Sequence, residues 1–269
     1  FMSNPEMVAE YYDEYIDPVS SAMTTADGSS IELGTEVGAD LIGMELGFSQ
    51  LWLTARSHIE IPFFHFDGLN FAKYGTPGIH KKLHVDGNGD FYTNPSISYR
   101  DWCHDLMQKT GDAAYIWMVW DQDLHDAELG SVTGFGGTSM EELINLGDVQ
   151  IFDSIEEAAA KIGGNFLNTV DAWNNNEGSI NDSGETLDEG KKIYAMKVLP
   201  SIYQPYGGLK TDIDLRVIDT NGNVIPGLYA AGDATGSPER QEGMKYTAGV
   251  TVAMSFGRVA AETMIEDKE

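Results

Sequence analysis

The chain has 269 residues, 42% of them hydrophobic, with 43 acidic against 16 basic side chains and a formal charge of -27. That field opposes a phosphate backbone and excludes nucleic acid as a partner, and a single cysteine, Cys103, excludes an intrachain disulfide and a thiolate metal cluster. No apolar run reaches the length of a transmembrane segment and no basic-then-apolar signal opens the chain, so a soluble acidic protein with a real core is expected, cytoplasmic or periplasmic.

The chain starts at Phe1 and a helix follows almost at once, which reads as a fragment of a longer protein. SNPEMVAEYY offers Asn4 as an N-cap, Pro5 at the first helical position and Glu6 beside the positive helix end. TTADGSSIELGTEVGADL, residues 24–41, reads as a glycine turn entering a short helix. From about Gly47 to Gly190 the sequence turns aromatic and irregular, with its own rhythm of short strands and helices, so it is taken as a separate unit. Inside it, HVDGNGDFYT predicts a hairpin turning at 87–89, AAYIWMVW a buried strand and SMEELINLG a short helix. RDWCHDLMQ puts Trp102, Cys103, Leu106 and Met107 on one helical stripe, so Cys103 is expected to be a buried structural thiol. SIEEAAAKIG carries Ser154 and Glu157 at capping-box spacing. The next stretch, TVDAWNNNEGSINDSGETLDEG, reads as a solvated linker from its Asn, Gly, Ser and acidic residues. From Lys192 strands dominate: KIYAMKVLP, GLKTD, LRVID, an NGN turn at 221–223 and VIPGLYAAGD. No internal repeat is visible.

Three patterns imitate binding motifs and fail. Asp86, Asn88 and Asp90 copy the first ligands of a calcium loop, but Ile97 stands where the bidentate Glu is needed, so DGNGD reads as a tight turn. His80 and His84 have the spacing of a helical metal pair, yet HKKLHV runs into the hairpin and its two lysines oppose a cation. Gly134, Gly136 and Gly137 lack the preceding apolar strand of a dinucleotide fingerprint, and no complete G-x-G-x-x-G occurs. No metal site is expected.

PGLYAAGDATG, residues 226–236, carries more. Val224 to Ala231 is an apolar run that ends in Gly232-Asp233, which puts the acid at the carboxyl end of a strand, where open α/β sheets bind ligands. A carboxylate there accepts hydrogen bonds from sugar or ribityl hydroxyls. Ala248, Gly249 and Val250 then open a helix whose amides suit a carbonyl or a developing negative charge. The alternative is a core strand and helix with Asp233 as a loop cap.

GGLKTDIDLRVIDTNGNVIPGLYAAGDATG followed by AGVTVAMSFGRVAAETM resembles the C-terminal portion of the fumarate reductase/succinate dehydrogenase flavoprotein family, which includes urocanate reductase and 3-ketosteroid dehydrogenases. FMSNPEMVAEYY, TADGSSIELGTEVGADLIGMEL, SIEEAAAKIG and TVDAWNNN resemble further family segments, so the resemblance covers nearly the whole chain and is weakest over 47–95. It implies an α/β (α+β) fold: a partial, discontinuous FAD-binding domain over 1–46 and 196–269, with an inserted α+β capping domain over 47–195. In that family the unit that holds the ADP half of FAD precedes the segment matching Phe1. FAD is therefore the expected cofactor of the intact parent, with weak or no binding by this chain alone.

Carried over residue by residue, Asp27 and Asp233 match acids that contact FAD, and Gly249 and Val250 match residues whose backbone holds the flavin ring. SYRD resembles the segment bearing the proton-donating arginine, which makes Arg100 the expected acid, against the alternative of a surface ion pair with Asp101 or Asp105. Where the family has His-His-Thr-Met-Gly-Gly, this chain has Tyr203-Gln204-Pro205-Tyr206-Gly207-Gly208, so Tyr203 replaces the carboxylate-binding histidine and Gln204 falls beside the cofactor. The clamping arginine would fall near Gly243 or Met244, with only Arg240 and Lys245 as neighbours. Tyr203, Tyr206, Tyr246 and Thr247 are then the expected substrate contacts, and they suit a larger ligand than fumarate. The resemblance implies reduction of an activated C=C bond in a small-molecule substrate, with an electron donor left open. A steroid-type dehydrogenase and a non-redox binding module that kept the fold are the alternatives.

Overall fold

The computed structural model describes residues 1–13, 20, 22, 25–45, 47–54, 81–93, 105–109, 115–128, 140–145, 147–236 and 249–268. Within them the helices are α1 (Pro5–Tyr11), α2 (Ser29–Glu36), α3 (Gln122–Glu128), α4 (Met140–Asn145), α5 (Ile155–Ile162), α6 (Phe166–Asn174) and α7 (Gly249–Glu266). The strands are β1 (Leu41–Ile42), β2 (Gly47–Thr54), β3 (Leu83–Asp86), β4 (Ile116–Asp121), β5 (Val149–Phe152), β6 (Ile193–Pro205), β7 (Gly208–Leu209), β8 (Arg216–Ile218) and β9 (Val224–Tyr229). Helices and strands alternate around open sheets, the expected α/β (α+β) class. Among the described residues no helix is long and apolar enough to cross a membrane.

Two compact units emerge, one of Phe1–Asp13, Ala22–Phe48 and Tyr203–Glu269, the other of Glu14–Ser21 and Ser49–Ile202. In the first, α1 starts as the sequence indicates: the Asn4 carboxamide oxygen accepts the Glu6 and Met7 amides at 3.1 and 3.2 Å, and its Nδ2 donates to the Asp27 carbonyl at 2.9 Å. The cap thus also pins the loop ahead of α2. β1 pairs with β7 antiparallel, and β8 pairs with β9 antiparallel around a turn whose amides at Asn221 and Asn223 donate to Asp219 Oδ1. A small core of Ala39, Leu209, Val217 and Ala230 lies beneath them.

β9 is a strand as expected, and the short Asp219–Asn223 turn returns it antiparallel alongside β8. Val224 on it is 40% exposed.

The second unit is organised by β6, whose first half has β4 on one edge and β5 on the other, within the order β2-β6-β4-β3. Ile193, Tyr194, Ala195, Met196 and Val198 are all buried because both faces are covered. One face meets Leu106, Leu124 and Leu143; the other meets α5 and α6 through Ala158, Ile162, Phe166, Val170 and Trp173. AAYIWMVW does contain a fully buried strand, β4, and the Asp86 carboxylate closes the hairpin turn by accepting the Asn88 and Asp90 amides. At α5, Ser154 Oγ accepts the Glu157 amide at 3.2 Å, and Glu157 Oε2 accepts the Asp153 amide at 2.7 Å, a capping box displaced by one residue.

The linker reading of TVDAWNNNEGSINDSGETLDEG is corrected. Its first residues complete α6, whose buried positions 166, 169, 170 and 173 form one helical face that the asparagine run disguises. The remainder folds around buried Asn181, which donates to the Trp173 and Glu185 carbonyls and accepts the Ser183 and Gly184 amides. Asn174 exchanges two 2.8 Å bonds with the Leu187 backbone. Asn174 and Asn181 thus tie the segment down, while residues such as Asn175, Asn176, Glu177, Asp182 and Glu189 between and beyond them stay exposed, as the composition indicates. Cys103, Trp102, His80 and the glycines of 134–137 lie outside the described residues.

Candidate functional site

The first unit carries an acidic loop at Asp27 and an acidic turn at Asp233. Asp27 is exposed, and its Oδ1 accepts the Ser29 amide at 3.0 Å, so the carboxylate crowns the entrance to α2. That amide bond holds its pKa below the ordinary range. Gly28 follows at φ +88°, in the left-handed region, and a Cβ there would strike Met7 Sδ, so the turn requires glycine. Asp233 sits in a 3-10 turn, Gly232–Ala234, directly after β9.

The Asp233 turn packs against α7. A Cβ on Gly232 would stand 3.0 Å from Ala253 Cβ, so the turn backbone lies directly on the first turns of that helix. Gly249 and Val250 open α7, Val250 being 77% exposed. An 18-residue helix presents the positive end of its dipole here, with first-turn amides that have no acceptor within the helix itself. Beneath the turn, Gly236 N–H donates to the Leu209 carbonyl at 3.0 Å and Thr235 Oγ1 to the Gly232 carbonyl at 2.7 Å. A Cβ on Gly208 would stand 2.6 Å from the Ala234 carbonyl oxygen, and one on Gly236 would strike the Ile42 carbonyl. Three backbone segments meet with no room for a side chain between them.

The other expected site residues divide as follows. Tyr206 is buried, at 4% exposure, just before β7. Tyr203 and Gln204 belong to β6, of which only the strand placement is described. Arg100, Tyr246 and Thr247 lie outside the described residues, as do Arg240, Gly243, Met244 and Lys245. Sequence reasoning missed the supporting residues: Ser29, which fixes Asp27; Thr235, which closes the Asp233 turn; and the Gly208–Gly236 contact. The glycine pair at 207–208 was the available signal, since adjacent glycines often mark close backbone approach.

One other acidic group invites attention. Asp121, Asp123 and Asp188 have carboxylates close enough to hold an ion, but Lys191 Nζ already lies among them, at 3.6, 2.6 and 2.6 Å respectively. The pKa of Lys191 is raised by the hydrogen bonds to Asp123 and Asp188.

The chain is 28% identical over 282 aligned positions to NADH:acrylate oxidoreductase of Vibrio harveyi, covering 98% of this chain and 26% of that protein. It is 24% identical to urocanate reductase of Eggerthella lenta, covering 97% of this chain and 42% of that protein. Its fold matches 3-ketosteroid delta1-dehydrogenase from Sterolibacterium denitrificans, solved in complex with 1,4-androstadiene-3,17-dione, with a TM-score of 0.69 and 20% identity, covering 98% of this chain and 51% of that one. The chain thus spans between about a quarter and a half of the length of these relatives. The family model described as FAD binding domain matches residues 2–251, and the chain belongs to that FAD-binding flavoprotein family.

Proposed function

We propose that this chain contributes the flavin-facing and substrate-facing parts of an FAD-dependent oxidoreductase that reduces a C=C bond conjugated to an electron-withdrawing group. The observation that carries this reading is the Asp233 turn seated on the N-terminal turns of α7, in a chain of the FAD binding domain family. Relatives named for acrylate and urocanate support the substrate class.

The residues present fit the cofactor. Asp27 and Asp233 supply carboxylate acceptors for its hydroxyls, and Gly249 offers a helix terminus without a side chain to hold the ring at a distance. Bound there, FAD would supply hydride chemistry. The α7 amides favour negative charge at the end they face. Tyr203, Tyr206, Tyr246 and Thr247 would shape the substrate side, and the tyrosines favour a ligand larger than fumarate. Arg100 would hold a proton on its guanidinium and deliver it to the carbon beside the one that is reduced; its high intrinsic pKa makes a relay that reprotonates it part of the proposal.

The test uses the full product of the gene, loaded with flavin and driven by a reduced dye, against a panel of conjugated carboxylates and enones. Consumption of a panel member, reduced by Arg100→Ala while flavin content is kept, is the expected result. A flavin-loaded protein that reduces none of them overturns the reading.

A further inference from the structure

The far end of α7 carries a feature that local helix physics disfavours. Asp267 follows the last helical residue, and the last turn contains no basic side chain, so an acid stands at the negative end of the dipole. Its amide donates to the Thr263 carbonyl, which fixes it to the helix end. Arg216 compensates: its Nε and Nη2 each reach the Asp267 carboxylate at 2.8 Å, a two-pronged contact. Tyr229 Oη donates to the same carboxylate at 2.6 Å. Asp212 and Asp214 hold the guanidinium from the other side, at 3.4 and 2.7 Å. Arg216 and Tyr229 face each other across β8 and β9.

These contacts close a ring. β9 ends at Tyr229 and runs through Ala230 and Ala231 into the Gly232–Ala234 turn that carries Asp233. That turn touches Ala253 near the start of α7, and α7 returns over about 21 Å from there to Asp267, which binds Tyr229. Along the helix, the buried side chains are small, Ala260 and Thr263, while Val250, Met254 and Ile265 are exposed. Small apolar contacts are non-directional and resist sliding or pivoting poorly. The two-pronged ion pair is directional.

We infer that Arg216, Tyr229 and Asp267 form a positioning clamp that sets where the N-terminus of α7 stands relative to Asp233. This deepens the cofactor reading given above and rests on it for its consequence, while the clamp itself is a property of the chain alone. Losing the clamp frees the distant helix start to shift, although none of the three residues lies at that end.

Hydrogen exchange in the flavin-free chain reads this directly. The amides of Ala253 to Ser255 are the first whose helical acceptors lie within α7. Asp267→Asn is expected to speed their exchange about tenfold, and the milder Tyr229→Phe several-fold. Arg216→Lys keeps the charge without the fork and is expected to resemble Asp267→Asn. Faster exchange confined to Thr263–Asp267, with Ala253–Ser255 unchanged in all three variants, overturns the proposal, because a merely local staple would give that result. In the flavin-binding gene product the same variants are expected to weaken FAD affinity. A wild-type protein that binds no FAD while the exchange response persists would remove the cofactor reading and leave the clamp standing.

Discussion

Asn4 Nδ2 donates to the Asp27 carbonyl at 2.9 Å, so the cap of α1 also holds the loop carrying Asp27, one of the two acids, with Asp233, expected at the cofactor. The two acids belong to loops pinned by different means, Asp27 by the Asn4 and Ser29 bonds and the Asp233 turn by Thr235 and Ala253. If both accept cofactor hydroxyls, each substitution Asp27→Ala and Asp233→Ala should weaken FAD binding about tenfold or more, because a charge-assisted hydrogen bond is lost. Flavin fluorescence quenching measures this, and unchanged affinity in both variants would exclude them as contacts.

Gly208→Ala should damage the same region from beneath. The added methyl would meet the Ala234 carbonyl oxygen at 2.6 Å, so the turn must lift. A cost of about 1–3 kcal/mol is expected, together with weaker flavin binding. Denaturant melts of the purified variant check the first part, and a stability equal to wild type would show that the turn yields freely.

Trp173→Ala tests whether α6 belongs to the core. Trp173 is 1% exposed and packs with Phe166, Val170 and Ile193 in one cluster. Truncation should cost about 3–5 kcal/mol. A surface linker would tolerate the change within a few tenths, and urea unfolding separates the two.

The clamp has an acid signature. The Arg216 hydrogen bonds, with that from Tyr229, hold the Asp267 pKa at about 2, below its ordinary value. The folded pKa is depressed, so this contribution is complete above about pH 4 and is lost as pH falls toward about 2. Wild type should therefore lose more stability than Asp267→Asn between those limits. Parallel acid titrations followed by circular dichroism provide the check, and identical curves would mean that the pair contributes nothing to folding.

The charge of -27 predicts a response to salt. Self-repulsion among carboxylates is screened more effectively than the few ion pairs are weakened, so the melting temperature should rise between low and molar sodium chloride. A fall would show that networks such as Arg216 with its three aspartates outweigh the net repulsion.

Much of the local architecture was readable from residue order. Asn4 and Ser154 cap helices because a short oxygen-bearing side chain meets free amides one turn on, and that geometry lies within a few residues. The buried strand β4 follows from an unbroken apolar run, and the turn at Asp86 from an acid placed to accept two later amides. The placement of Asp233 after a strand was equally visible.

What the sequence by itself determined was therefore the set of contacts whose partners are neighbours: caps, turns, the identity of several elements and the resemblance carried by PGLYAAGDATG. Tertiary structure decided the rest. It made α6 a core helix, because the worth of its Phe166–Trp173 face depends on the strands beneath it. It turned Asn181 from a solvated residue into a buried bracket. It brought Arg216 and Tyr229 to Asp267, and Gly208 to the turn after Gly232, through separations that no local pattern encodes. Such contacts form only once the chain entropy between them has been overcome by burial, so their energy belongs to the assembled fold and to no segment of it.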